Sequence, residues 1–508
     1  MSEQGKKSYG TILKSSAIIG GSTVVNMGLA VVRGKFMALL LGPGGVGFLG
    51  MYSNIVDLTR SFAGLGINSS GVRQIAEAVG TGDNNRIART VITLRRVAFY
   101  SGALGALLLL AFSKPIARYS FGDDKHTWDV AGLALAAFFL DVSAGQGALI
   151  QGMRRIADLA RMNVLGAIYG TVFSVLIVYK YGAAGLVPSL ICVAAMSILT
   201  SWWYARKVKV EKVPVTTNDL VDEASSLLKL GVVFMASALL PLAATYLVRS
   251  IILQKLDIDA AGYYAAAWAL GGYYIGFILQ AMGADFFPRL TAVANDHPEC
   301  NRLVNEQTEV GILMACPGIL AALAFAPPLM TLFYSHKFGP STEIFRWICL
   351  GMLLRVLVWP MGFIIMAKGE RKLFLWTELF SNIGFVAFAW VGLQLRGLQG
   401  VGIGFFALYV CHFTVIYFIV RHLSGFRWSA ASYQLGLVFL PLVALVFALP
   451  YIFPRNPYTS AGIGAAVTIP AGIFSIRTLC TLIPFERLPK PAQKIITLFR
   501  LRPASTNA

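Results

Sequence analysis

Apolar stretches of about 20 residues follow one another from residue 13 to residue 481 of the chain. A helix needs roughly this length to cross the ~30 Å hydrocarbon core of a bilayer. The longest polar interval, residues 205–226, is too short for a soluble domain and is predicted to be a linker. Lipid cannot satisfy open backbone groups, and the alternating pattern of barrel strands is missing. The sequence therefore predicts an all-α polytopic membrane protein.

We predict about fourteen transmembrane helices, in keeping with 56% hydrophobic and only 13% charged residues. The predicted spans are 13–41, 47–66, 91–112, 128–149, 162–180, 183–204, 227–255, 262–284, 310–333, 343–366, 373–395, 400–420, 434–453 and 460–481. The first apolar run is too long for a signal peptide, so it is counted as a span.

The net charge of +19 reflects membrane topology. With a cytoplasmic N-terminus, 28 of the 43 Lys and Arg residues fall in inside segments and 8 in outside segments. Positively charged residues concentrate on the cytoplasmic side of membrane proteins. We therefore expect both termini in the cytoplasm, the basic segment 491–503 on the cytoplasmic interface, and no nucleic-acid partner.

The sequence resembles itself at a shift of about 216 residues. The shift aligns Arg33 with Arg249, and a shift of 215 aligns Gly182 with Gly397. It covers six predicted helices, an even number, so the two halves are expected in the same orientation, related by a pseudo-two-fold axis along the membrane normal. The predicted domains are an N-lobe (1–210, helices 1–6), a C-lobe (211–430, helices 7–12), and a third segment (431–508) with helices 13–14 and the basic tail.

Several charged side chains lie inside predicted spans. Arg33 shares one helix face with Ser15, Ser22 and Asn26, so this stripe is expected to line a wet interior. Lys35 lies closer to the boundary, where snorkelling to the interface is favoured.

The second predicted helix carries Asp57 and Arg60 at positions i and i+3, which can pair. They form either a self-neutralised structural pair or part of a binding site. Arg249, the repeat partner of Arg33, is expected at a similar height in the other lobe, so that both cations face one cavity.

Asp141 and Arg355 occupy nearly matching repeat positions and are expected to bridge the lobes. Arg346 and Glu378 lie near helix ends, which favours interfacial placement, and His412 is expected to be a packed residue rather than a proton relay.

Tyr273 and Phe277 lie on one helix face with Gln280. They serve either helix packing or contact with a sugar ring.

The cations outnumber the carboxylates inside the spans, and an unpaired charge at mid-membrane costs about 3 kcal/mol. The expected counter-charge is the substrate, because guanidinium groups bind phosphate in a bidentate manner. The predicted substrate-binding residues are Arg33, Arg60, Arg249, Asn26, Asp57, Arg355, Asp141 and Tyr273. No metal, cofactor or catalytic residue is predicted, so the chain is expected not to be an enzyme.

Six stretches resemble a known family: 40–77, which begins "LLGPGGVGFLGMY", 147–166, 260–270, 282–291, 332–347 and 366–372. They are similar to the polysaccharide transporters of the superfamily that also contains multidrug extruders and lipid II flippases, and most of all to O-antigen and enterobacterial-common-antigen flippases.

This resemblance implies two six-helix lobes around a cavity. It implies movement of undecaprenyl-diphosphate-linked oligosaccharide across the bacterial inner membrane, from the inner to the outer leaflet, by alternating access. The implied partners are this lipid-linked oligosaccharide, membrane lipids, and the polymerase and chain-length proteins of the same pathway.

Three alternatives remain at this point. A lipid II flippase would also carry two additional C-terminal helices. An ion-coupled multidrug exporter would share the fold but favour carboxylates in its cavity. A membrane glycosyltransferase or polymerase is disfavoured because no large loop with acid/base residues is present.

Overall fold

The computed structural model describes residues 3–208 and 217–482, and every regular element in them is helical. The all-α prediction is therefore confirmed. The helices are α1 (Glu3–Ala63), α2 (Ile67–Thr81), α3 (Asn84–Ala111), α4 (Ser113–Phe121), α5 (Thr127–Gly152), α6 (Ile156–Tyr181), α7 (Leu186–Ala205), α8 (Thr217–Lys255), α9 (Ile258–Ala292), α10 (His297–Ala324), α11 (Ala326–Phe333), α12 (Ser341–Ala367), α13 (Arg371–Ser424), α14 (Ala430–Ile452) and α15 (Pro457–Leu482). The predicted basic segment 491–503 and residues 209–216 of the predicted linker lie outside the described residues.

Ten stretches of the described chain are long and apolar enough to cross a membrane. Two of them, Ile156–Ala205 and Arg371–Ser424, each contain two of the predicted spans, and Gly20–Ala63 overlaps two more. The chain is thus a multi-pass membrane protein, while the number of fourteen spans stays a prediction.

Two of the long helices turn at a glycine. In α1, Gly42 has φ 68° and ψ −165°, and in α13, Gly397 has φ 58° and ψ −145°. Only glycine adopts such angles without strain. In α1, Pro43 follows and has no N–H to continue the helix. Each of these helices therefore consists of two helical segments joined at the glycine.

Local structure recurs at the offset of the sequence repeat. Helices α3 and α10 are both 28 residues long and follow Asp83 and Asp296, whose carboxylates accept a hydrogen bond from the backbone of the first turn. Gly182, about 215 positions before Gly397, has φ 60° and ψ −140°. The pseudo-two-fold axis stays a prediction.

By packing, the chain divides into two units. Unit 1 contains residues 1–265 and 333–337, and unit 2 contains residues 266–332 and those from 338 onward. The boundaries of the units are defined by contacts between residues, whereas the predicted domains 1–210, 211–430 and 431–508 are defined by the sequence repeat. Those boundaries stay a prediction.

Unit 1 has two apolar clusters that hold its helices together. One joins Met51 and Ile55 of α1 to Leu133 of α5. The other joins Ile75 of α2 to Leu94 of α3. These side chains are almost completely buried. The packing positions α1, α3 and α5 around the polar residues described below.

In unit 2, Arg346 lies near the start of α12 and is 1% exposed. Its predicted placement at the membrane interface stays a prediction. Its Nη1 donates to Glu343 Oε1 at 2.8 Å, and its Nη2 donates to the carbonyl of Phe447 in α14. The guanidinium also lies over the rings of Phe447 and Tyr451, and the Tyr451 hydroxyl donates to Glu343 Oε2 at 2.6 Å. These contacts fix one end of α14 to α12.

The other end of α14 is fixed to α10. The Ser429 and Ser432 hydroxyls donate to Glu309 Oε1 at 2.5 and 3.1 Å, and the backbone N–H of Ser429 donates to Asn305 Oδ1 at 2.8 Å. The first of the two predicted additional helices is therefore an integral part of unit 2.

We predict that Arg346→Ala lowers the free energy of unfolding by about 2–3 kcal/mol, because it removes charge-assisted hydrogen bonds from a buried position. Unfolding in mixed micelles of detergent and SDS measures this change. The control is Arg455→Ala, an exposed arginine just beyond α14, which is expected to change stability by less than about 0.5 kcal/mol. Equal losses in the two variants would contradict the anchoring role.

Candidate functional site

The first segment of α1 carries the predicted polar stripe. Asn26 and Arg33 are partly buried, and Asn26 Oδ1 and Arg33 Nε are inaccessible to solvent. In contrast, Val25 and Phe36 are 46% and 44% exposed. The polar side chains therefore face away from the exposed apolar surface of α1. The side chain of Ser15 lies outside those that the structure describes.

Arg60, near the end of α1, lies between two carboxylates. Its Nε is 3.3 Å from Asp141 Oδ1 on α5, and its Nη1 is 3.8 Å from Asp57 Oδ1 one helical turn earlier. Its Nη2 also donates to the Leu140 carbonyl at 3.4 Å. The predicted pairing of Asp57 with Arg60 is thus present, and Asp141 adds a second, closer partner.

Glycines on α3 permit this arrangement. A β-carbon on Gly102 would lie 3.2 Å from the Asp141 β-carbon, and one on Gly105 would lie 2.8 Å from the Ala63 β-carbon. Such distances leave no room for a larger residue. The two glycines therefore let α3 approach both α5 and the end of α1, which places Asp141 beside Arg60.

Arg249 reaches the same segment of α1 from α8. Its Nη1 donates to the Gly50 carbonyl at 2.7 Å and to Asn54 Oδ1 at 3.1 Å. Arg249 also interacts electrostatically with Asp57. Asp57 therefore lies under the influence of two arginines, one from its own helix and one from α8.

A cavity of about 430 Å³ adjoins this cluster. Asp57, Arg60 and Asp141 line it, together with the apolar α8 residues Phe234 and Leu242. Asp57 is 49% exposed and Asp141 only 8%. The cavity thus combines an accessible carboxylate and a guanidinium with an apolar wall, which suits an amphipathic anion.

The remaining predicted site residues lie in unit 2. Arg355 is exposed on α12 and has Glu378 and His412 as electrostatic neighbours. Tyr273 is partly buried on α9. Within unit 1 the Asp141 carboxylate accepts a hydrogen bond from Arg60. The predicted bridge between Asp141 and Arg355 stays a prediction.

Sequence reasoning missed the residues that hold Arg249. Gly50 contributes only its carbonyl, which no pattern of side chains reveals. Asn54 is 8% exposed, and its amide within a predicted span was the available signal. An amide in an apolar helix indicates a hydrogen-bond partner on another helix.

We predict measurable coupling between Arg60 and Asp141. A double-mutant cycle with Arg60→Gln and Asp141→Asn is expected to give a coupling free energy of about 1–2 kcal/mol between the two side chains, because Asp141 is buried. The control cycle uses Arg73 and Glu77, a 2.7 Å pair with side chains 61% and 50% exposed, for which less than about 0.5 kcal/mol is expected. Unfolding in SDS mixed micelles provides the measurement. A coupling no larger than that of the control pair would contradict the assignment.

The fold and the cluster define a class: a multi-pass helical membrane protein with arginine–carboxylate pairs beside a cavity. Residues 36–343 match the family described as polysaccharide biosynthesis protein. Because this match covers more than half of the chain, the chain belongs to that family, and the family predicted from the sequence is confirmed.

Two relatives from Escherichia coli (strain K12) resemble the chain over most of its length. It is 22% identical to the lipid III flippase over 428 residues, which cover 80% of this chain and 97% of the flippase. It is 19% identical to the lipopolysaccharide biosynthesis protein WzxC over 437 residues, which cover 84% and 85% of the two chains.

Solved structures share the fold. The lipid II flippase MurJ in an inward closed conformation matches with a TM-score of 0.69 and 13% identity, covering 92% of this chain and 99% of MurJ. An inward-facing multidrug resistance MATE family transporter matches with a TM-score of 0.67 and 17% identity, covering 79% and 98%. At these identities the likeness concerns the fold alone.

Proposed function

We propose that the chain is a flippase that moves undecaprenyl-diphosphate-linked oligosaccharide, an O-antigen-type repeat unit, from the cytoplasmic to the periplasmic leaflet. Family membership and the flippase among its relatives support transport of a polysaccharide precursor rather than an enzymatic reaction. The observation that carries the proposal is the 3.8 Å pair of Asp57 and Arg60 at the cavity, together with the electrostatic interaction of Asp57 with Arg249.

In this proposal the diphosphate competes with Asp57 for the arginines. The Asp57–Arg60 contact is loose at 3.8 Å, and Asp57 is half exposed. A diphosphate offers more acceptor oxygens and more charge than one carboxylate, and it can accept bidentate hydrogen bonds from a guanidinium. Asp141, which is buried, keeps Arg60 in place during the exchange.

The other predicted contacts have subordinate roles in the proposal. Arg33 and Asn26 extend the polar surface along the first segment of α1, whereas Arg355 and Tyr273 act from unit 2. Transport proceeds by alternating access, with both termini cytoplasmic. Polymerase and chain-length proteins of the same pathway receive the product.

We predict that Arg60→Ala and Arg249→Ala each lower surface polysaccharide at least about tenfold, since each removes a charge-assisted contact to the diphosphate. The assay uses a deletion strain of the source bacterium complemented at matched membrane levels, with surface glycan quantified by antibody. Arg73→Ala, an exposed arginine paired on its own helix, serves as the control and is expected to display normally. Normal display in both the Arg60 and the Arg249 variant would overturn the proposal.

Competition between Asp57 and the diphosphate predicts that removing the Asp57 charge strengthens ligand binding. Asp57→Asn removes the competing carboxylate charge, so the affinity of the purified protein for farnesyl diphosphate is expected to rise about fivefold, the effect of roughly 1 kcal/mol. Isothermal titration calorimetry measures it. The control is Asp123→Asn, in the exposed connection between α4 and α5, which is expected to leave the affinity unchanged. A lower affinity in the Asp57 variant would show that this carboxylate assists binding rather than competes with it.

A further inference from the structure

A second cavity, of about 380 Å³, adjoins the first at Arg60. Both cavities are lined by Arg60, Asn68 and Ala144, and the second extends between α5, α6 and α7. Its volume lies within the roughly 300–1,000 Å³ typical of pockets for small molecules. A ligand held at Arg60 can therefore extend into either cavity.

The lining of the second cavity is polar but almost uncharged. Arg60 is its single charged lining residue among the described residues, and the other polar lining comes from amides and hydroxyls. The side-chain amides of Asn68, Gln151 and Asn163 are exposed and make no hydrogen bond to any described residue. Each amide offers two N–H donors and one carbonyl acceptor.

The two serines of the second cavity are oriented as acceptors. The Ser143 hydroxyl donates to the Ser197 carbonyl at 3.2 Å, and the Ser197 hydroxyl donates to the Val193 carbonyl at 2.8 Å. Because each proton is already used within the protein, the oxygens remain to accept from a ligand. The cavity thus presents both donors and acceptors, as a ligand with many hydroxyl groups requires.

This composition discriminates between ligand classes. No carboxylate among the described residues lines the second cavity, so nothing there would compensate a cationic drug. A phosphate would need more cations than Arg60 alone. The aliphatic side chains of Leu140, Leu159 and Met162 provide the apolar contact that the C–H face of a pyranose ring can use.

We propose that the second cavity is a saccharide subsite, which binds the sugar adjacent to the diphosphate while the diphosphate occupies Arg60 in the first cavity. This inference rests on the proposed function and adds to it the place of the glycan. Asn163 and Gln151 are the principal hydrogen-bonding residues, and Gly166 leaves the space for the ring.

Two variants test the subsite in different ways. Asn163→Leu replaces the side-chain amide with an apolar group of similar size. Gly166→Val narrows the cavity, and a β-carbon at Gly166 has no other atom within 4 Å. Gly472→Val is the matched control, because its β-carbon also enters open space but its helix, α15, contributes no lining residue to either cavity.

The experiment uses the full chain in nanodiscs with two probes, farnesyl diphosphate and farnesyl-diphosphate-linked N-acetylglucosamine. The unchanged protein and Gly472→Val are expected to bind the sugar probe about tenfold more tightly than the plain diphosphate. Asn163→Leu and Gly166→Val are expected to abolish this preference while binding plain farnesyl diphosphate normally, which also verifies that they are folded.

The outcomes separate this inference from the proposed function. If Asn163→Leu and Gly166→Val both retain the tenfold preference for the sugar probe, the saccharide subsite is refuted. This conclusion holds even if Arg60→Ala weakens the binding of both probes. If Arg60→Ala leaves the affinity for plain farnesyl diphosphate unchanged, the proposed function itself fails.

Discussion

A guanidinium group in a membrane-spanning segment must have its charge compensated, and the arrangement of unit 1 depends on this requirement. Arg60 meets it with Asp141 at 3.3 Å and Asp57 at 3.8 Å. Arg249 uses a backbone carbonyl and the Asn54 amide instead. Because the two arginines and their partners lie on α1, α5 and α8, satisfying two cations ties three helices together. The compensation is more complete than the sequence implied, since two carboxylates pair with Arg60 and Asp57 also interacts electrostatically with Arg249.

The cluster has one rigid part and one exchangeable part. Asp141 is buried behind the glycines of α3, so its pairing with Arg60 is shielded from water. Asp57 is half exposed and held more loosely, and an exposed ion pair contributes little to stability. This asymmetry suits a site that must bind an anionic headgroup and release it again, because the ligand replaces only the weaker partner.

Local sequence signals anticipated part of the site. The spacing of Asp57 and Arg60 predicted their pairing, since residues three positions apart lie on one helix face. The polar stripe with Asn26 and Arg33 was likewise visible from the helical period. The partner of Asp141 and the burial of Arg346 were not anticipated. Both depend on residues 80 to 100 positions away, which no local pattern connects.

The sequence by itself determined that the chain is all-helical and spans a membrane many times, because length, hydropathy and helical period are properties of each segment alone. The predicted gaps between spans 13–41 and 47–66 and between 373–395 and 400–420 also coincide with the turns at Gly42 and Gly397. The tertiary structure decided which carboxylate meets which arginine, and that two cavities adjoin at Arg60. Those features depend on the distances between helices that are far apart in sequence, and such distances are set by packing across the whole unit.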